Sequence, residues 1–125
     1  MRKITFEELL AFHEIALTFG GIEGIKNESL LYSAIENPFS TMFGEELYPT
    51  EELKIAMTVY SLINNHGFED ANKRTGIFVL KVLLEDCNII LDATEDDYIE
   101  LAQKIENSYD KYDIVNWINL HRLSR

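Results

Sequence analysis

The sequence predicts an all-α fold, a compact bundle wrapped around one central buried helix. Three observations predict it. Apolar residues recur at helical spacing in one stretch after another. Those stretches are opened by Ser/Thr/Asn-type caps or closed by glycine and proline. One of them, Ile77 to Leu84, is apolar nearly all round, which suits a helix covered by neighbours on every side.

The first helix is expected over about 6–19. Thr5 caps it, Glu8 stands at the reciprocal capping-box position, and Phe6, Leu9, Leu10, His13, Ala16 and Leu17 form its inner stripe. Gly20, Gly21 and Gly24 end it and make a turn. Asn27 caps a short second helix over 28–36, which Asn37-Pro38 stops. Residues 38–49 read as the longest irregular segment, a length that in a compact domain is often functional. Of Phe39, Phe43 and Tyr48, at least one is expected in the core. Thr50 caps a third helix over 51–65, with Leu53, Ala56, Met57, Tyr60 and Ile63 facing inward. The fourth, over 72–86, is the expected central helix. Ile89-Ile90-Leu91 reads as a short extended connection, followed by helices over 95–107, capped by Thr94, and 110–122.

A chain of 125 residues without repeats or linkers is expected to be one domain. Its 46% hydrophobic and 26% charged content is ordinary for a soluble globule. No apolar run approaches the ~20 residues of a membrane span. The opening Met-Arg-Lys-Ile-Thr-Phe lacks the apolar core of a signal peptide, and the one cysteine, Cys87, has no internal partner. Cys87 reads as a packing residue rather than a nucleophile, and the expected setting is the reducing cytoplasm. A net charge of −11 argues against nucleic acid or an anionic membrane as the main partner. It suits either a basic partner surface or a merely solvated acidic face.

Most of the chemistry lies in ten residues, His66-Gly67-Phe68-Glu69-Asp70-Ala71-Asn72-Lys73-Arg74-Thr75. They place an imidazole, a carboxylate, a carboxamide and two cations where a loop enters the fourth helix. A helix start offers unpaired N–H groups and partial positive charge to an anion. Lys73 and Arg74 add two full charges, so the segment reads as a phosphate cradle beside a histidine. An imidazole can accept a hydroxyl proton near neutral pH, which makes His66 the candidate general base. Asp70 offers hard oxygen to Mg²⁺ or caps the next helix. Asn72 can donate from its side chain and its backbone. Arg74 can grip two phosphate oxygens at once. Phe68 reads as a buried anchor. His13 and His121 have no such company in sequence and read as ordinary.

The segment resembles the signature of the Fic/Doc superfamily, H-x-F-x-[DE]-[GA]-N-[GK]-R, and in particular its Doc (death-on-curing) toxin branch. His66, Phe68, Asp70, Asn72, Lys73 and Arg74 all match. The opening Ile-Thr-Phe-Glu-Glu-Leu-Leu-Ala-Phe-His, the Gly-Gly-Ile-Glu-Gly-Ile turn and Leu-Tyr-Pro-Thr extend the likeness along the chain. Ala71 replaces the commoner Gly. Lys73 stands where AMP-transferring members carry Gly, and Ile77 where they carry a second Arg.

The resemblance implies an all-α Fic/Doc fold, with ATP and Mg²⁺ as cofactors. His66 would be catalytic, Asn72, Lys73 and Arg74 phosphate-binding, and Asp70 the metal ligand. In the superfamily, the region corresponding to 38–49 is a flap that docks the target chain. The Lys73 and Ile77 departures imply transfer of the γ-phosphate to a Ser or Thr hydroxyl of a host protein. For the Doc branch that protein is a translation elongation factor of the Tu type, and the outcome is growth arrest. No [ST]-x-x-x-E-[GN] self-inhibiting segment occurs. The implied inhibitor is therefore a Phd-like antitoxin that folds onto the toxin. Nucleotidyl transfer, its hydrolytic reversal and a silent binding module are the competing readings.

Overall fold

The computed structural model describes residues 1–123. Its helices are α1 (Phe6–Leu17), α2 (Glu28–Glu36), α3 (Glu51–Asn64), α4 (Asn72–Asp86), α5 (Glu95–Asn107) and α6 (Lys111–His121). A two-stranded antiparallel hairpin, β1 (Thr41–Met42) and β2 (Glu45–Glu46), is the sheet found among the described residues. The all-α expectation is met.

The caps read from sequence are in place. Thr5 Oγ1 accepts from Glu8 N at 3.0 Å, and Glu8 Oε1 accepts from Thr5 N at 3.0 Å. Asn27, Thr50 and Thr94 cap α2, α3 and α5 as expected, and Asp110, expected as the first residue of the last helix, is instead its cap. Each satisfies N–H groups that a helix start otherwise leaves open. The first helix stops at Leu17, two residues before the expected 19, because Gly20 and Gly21 take positive φ of 104° and 125° and turn the chain away.

The core joins Leu9, Leu31, Ile55, Val59, Ile63, Phe68, Leu80, Leu83, Leu101, Ile114 and Ile118, all essentially inaccessible to solvent. The hub is α3 rather than α4. α3 packs against α2, α4, α5 and α6, and buries polar Lys54, Thr58 and Ser61 along with its apolar face. α4 keeps Ile77, Phe78 and Val82 only half-buried. The apolar run marked α4 as internal but could not show that its outer side stays partly open.

Residues 38–49 are not irregular. A short 3-10 turn (Asn37–Phe39) leads into the hairpin, whose register pairs Thr41 with Glu46 and Met42 with Glu45. Phe43 and Gly44 form the turn with φ of 53° and 81°, the geometry that matches strand twist in two-residue hairpins. None of the three aromatics enters the core. Phe39 and Tyr48 are half-buried, and Phe43 is 99% exposed. Beside the hairpin, Lys54 of α3 is buried, and its ammonium pairs with Glu46 at 2.9 Å and donates to the Tyr48 carbonyl. The expected connection at 89–91 is extended, with Leu91 bridged to Arg122. Among the described residues no helix is long and apolar enough to cross a membrane.

Candidate active site

The loop between α3 and α4 is held in a conformation its residues do not favour. His66 and Ala71, at its two ends, have φ of 52° and 62°. Left-handed backbone costs an L-residue roughly 1–2 kcal/mol, so surrounding contacts must hold it. The Gly67 carbonyl accepts from Lys26 N at 2.9 Å and Asn27 N at 3.0 Å, while Glu69 N donates to the Gly24 carbonyl at 3.0 Å. The Asn72 carboxamide clamps the loop from the helix side. Its oxygen accepts from Phe68 N at 3.2 Å, and its nitrogen donates to the Phe68 carbonyl at 3.0 Å. Gly67 permits this geometry because a Cβ there would lie 2.3 Å from Leu31 Cδ2.

Beneath the loop, Phe68 is buried and stacks on His13 with ring centroids 3.6 Å apart and planes 4° apart. His13 Nε2 donates to the Asp70 carbonyl at 2.9 Å. His13 is therefore not the ordinary helix residue expected from sequence. It supports both the aromatic anchor and the backbone of the carboxylate. Its only sequence signal was burial on the α1 stripe. The polar partner comes from 57 positions away.

α4 begins at Asn72 with Ala71 at its cap position and no side chain capping it, unlike the other five α-helices. Its first N–H groups are left without a side-chain cap, an arrangement that can accept an anion. They open on a cleft of about 310 Å³ lined by His66, Glu69, Asp70, Ala71, Asn72, Lys73, Arg74 and Glu106. All five residues singled out in sequence meet there, with His66 exposed to solvent.

Their side chains are arranged as follows. Asp70 accepts from Ala71 N at 2.7 Å and Ile22 N at 3.1 Å. These two backbone donors, with Arg74 nearby, hold its carboxyl below the usual carboxylate range, so it is charged at neutral pH. The helix-cap alternative for Asp70 fails, because Ala71 occupies the cap position. Arg74 Nη1 donates to the carbonyls of Ala16 at 2.6 Å and Gly20 at 2.7 Å, closing the end of α1. Gly21 leaves room for both groups, since a Cβ there would come within 3.1 Å of Asp70 Oδ2 and 3.3 Å of Arg74 Nη2. Lys73 pairs with Glu106 of α5 at 3.2 Å. Asn72 spends its carboxamide on Phe68, so what it can offer an anion is chiefly its backbone N–H, which narrows the dual role expected of it.

Sequence reasoning missed Glu106, which reads only as one more acid on an amphipathic helix. Among the described residues, no cage of three or more His, Cys, Asp or Glu is formed. A single ionised carboxylate suits Mg²⁺ carried in with phosphate oxygens. Beside the cleft, sharing Lys73 and Arg74, lies a mainly apolar pocket of about 230 Å³ between α4 and α5, lined also by Ile77, Tyr98, Ile99 and Gln103.

A family model described as Fic/DOC family matches residues 3–84, from just before α1 to near the end of α4. A curated protein named Toxin Doc, from Mycolicibacterium smegmatis (strain ATCC 700084 / mc(2)155), is 38% identical over 69 residues. That match covers 55% of this chain and 52% of the relative, so the chain spans about half the length of the curated relative it matches.

Proposed function

The chain belongs to the Fic/DOC family, and from that membership we propose that it is the toxin of a type II toxin-antitoxin system. It transfers the γ-phosphate of ATP to a Ser or Thr hydroxyl of a translation factor of the elongation factor Tu type. The observation that carries this reading is the uncapped start of α4, which opens beside exposed His66 with Lys73 and Arg74 on its first turn.

Phosphoryl transfer asks a protein mainly for positioning and charge. The open N–H groups of Asn72 to Arg74 would hold phosphate oxygens, and Lys73 would add a full charge where AMP-transferring members have Gly. The acceptor hydroxyl attacks the γ-phosphorus as His66 takes its proton. The bond from that phosphorus to the bridging oxygen breaks, and ADP departs. Mg²⁺ entering with the nucleotide would supply charge neutralisation, and Asp70, an ionised carboxylate on the cleft lining, would be the residue to hold it. Exposure of His66 leaves it accessible to a hydroxyl on another protein. Phe43, in left-handed backbone at the hairpin tip and fully exposed, fits a target-docking flap better than a fold-stabilising role. The relative named Toxin Doc supports an antitoxin partner. We assign the Phd-like type, acting in the cytoplasm.

The test is the intact mass of purified elongation factor Tu after incubation with this protein, ATP and Mg²⁺. A gain of ~80 Da is expected for one phosphate, whereas ~329 Da would mean AMP transfer, masses fixed by the added groups. No change in mass would refute this acceptor.

A further inference from the structure

The phosphate cleft carries an acidic residue that neither the motif nor the proposed chemistry uses. Glu106 lies 33 positions from Lys73, on α5, and its Oε1 meets Lys73 Nζ at 3.2 Å. Both side chains are exposed, at 45% for Lys73 and 37% for Glu106, so the pair adds little to stability. Its location gives it another consequence. Glu106 lines the same cleft as His66, Asp70 and the open start of α4.

Both cations of the cleft are occupied in this arrangement. Arg74 is held by the carbonyls of Ala16 and Gly20, and Lys73 by Glu106. The two contacts differ in how readily they yield. Arg74 closes the end of a helix, whereas Glu106 is a solvated carboxylate on a flexible stem. Glu69, Asp70 and Glu106 put three carboxylates on the lining against two cationic side chains. A phosphate group entering the cleft therefore meets a net negative lining and finds Lys73 already paired.

Building on the phosphate-site reading above, we infer that Glu106 sets the affinity of the cleft for nucleotide by competing with phosphate for Lys73. The anion must displace the carboxylate before Lys73 can serve it. Glu106 then remains beside the bound phosphates as a repelling charge. It is a positioning residue that acts through Lys73 and is not a catalytic one.

The experiment is calorimetric titration of the full chain with ATP in the presence of Mg²⁺. Glu106→Gln should bind roughly three- to tenfold more tightly than wild type at low ionic strength, the scale of one unit charge acting across a solvated cleft, and the gain should shrink as salt rises. Glu106→Ala should behave likewise. Glu100→Gln removes the same charge from the same helix, where Glu100 pairs with Lys104 outside the cleft. It should leave affinity unchanged. In a Lys73→Met background the gain from Glu106→Gln should largely vanish. Melting temperatures of the Glu106 variants should stay near that of wild type.

Equal affinity of wild type and Glu106→Gln would overturn the inference. So would an equal gain from Glu100→Gln, or a gain that survives undiminished without Lys73. If neither wild type nor Glu106→Gln binds Mg²⁺–ATP, the phosphate-site reading itself falls and the inference with it. Binding by wild type that Glu106→Gln does not alter would remove the inference alone.

Discussion

His66 and Asp70 differ in how firmly the protein holds them, and that difference predicts different mutant behaviour. His66 stands exposed at the mouth of the cleft, so His66→Ala should fold like wild type and bind nucleotide nearly as well. Transfer should fall by ~10²–10⁴, the usual cost of losing a general base. Single-turnover rates beside a nucleotide titration check this, and retained transfer would exclude His66 as the base. Asp70 is tied to Ile22 N and Ala71 N, which lower its pKa. A depressed carboxyl contributes stability above its unfolded pKa and loses it as pH falls through the folded value. Asp70→Asn should therefore melt below wild type at pH 7, with the gap closing under acid conditions below about pH 4. Thermal melts across that range test the sign. The same variant should raise the Mg²⁺ requirement more than the ATP requirement, since a carboxamide is the weaker ligand. At this scale the sequence was legible where chemistry is concentrated in one segment. It was silent on His13 and Glu106, because a lone residue on an amphipathic helix carries no mark of a partner 57 or 33 positions away.

Elements position the site through close approaches at Gly21, Gly67 and Gly76, where a Cβ would crowd its neighbours. Gly76 lies one turn into α4, where a Cβ would come 2.6 Å from Ile63 Cγ1 of α3. That contact lets the helix carrying Lys73 and Arg74 sit directly against the hub of the fold. Gly76→Ala should force the two helices apart and destabilise the protein by about 1–3 kcal/mol, as overpacking of a tight core does. Urea unfolding measures it, and a neutral result would mean that Ile63 can move aside without cost. The ends of most elements were readable because Thr5, Asn27, Thr50 and Thr94 cap by short-range hydrogen bonds. The hairpin at 41–46 was not. Its strands are two residues each and its Phe43-Gly44 turn lacks the Asn-Gly or Asp-Gly pair that usually announces one. The missing cap on α4 was hidden as well. Asp70 looks like a cap in sequence, but the left-handed Ala71 takes that position and turns the carboxylate toward Ile22 instead.

Across the whole molecule, an acidic body of net charge −11 holds a small cleft whose two cationic side chains lie on the first turn of one helix. The bundle was legible because its helices, α4 apart, are amphipathic and capped. The identity of the hub was not, since α3 owes its central position to contacts with α2, α4, α5 and α6 that no local pattern encodes. The central claim is that this site moves the γ-phosphate of ATP onto protein. The most direct measurement incubates the wild-type protein and Mg²⁺ with a target-containing extract and ATP labelled at either the α or the γ position. Label should reach protein from γ-labelled ATP alone and be lost with His66→Ala. Transfer of α label would contradict the account and put nucleotidyl transfer in its place.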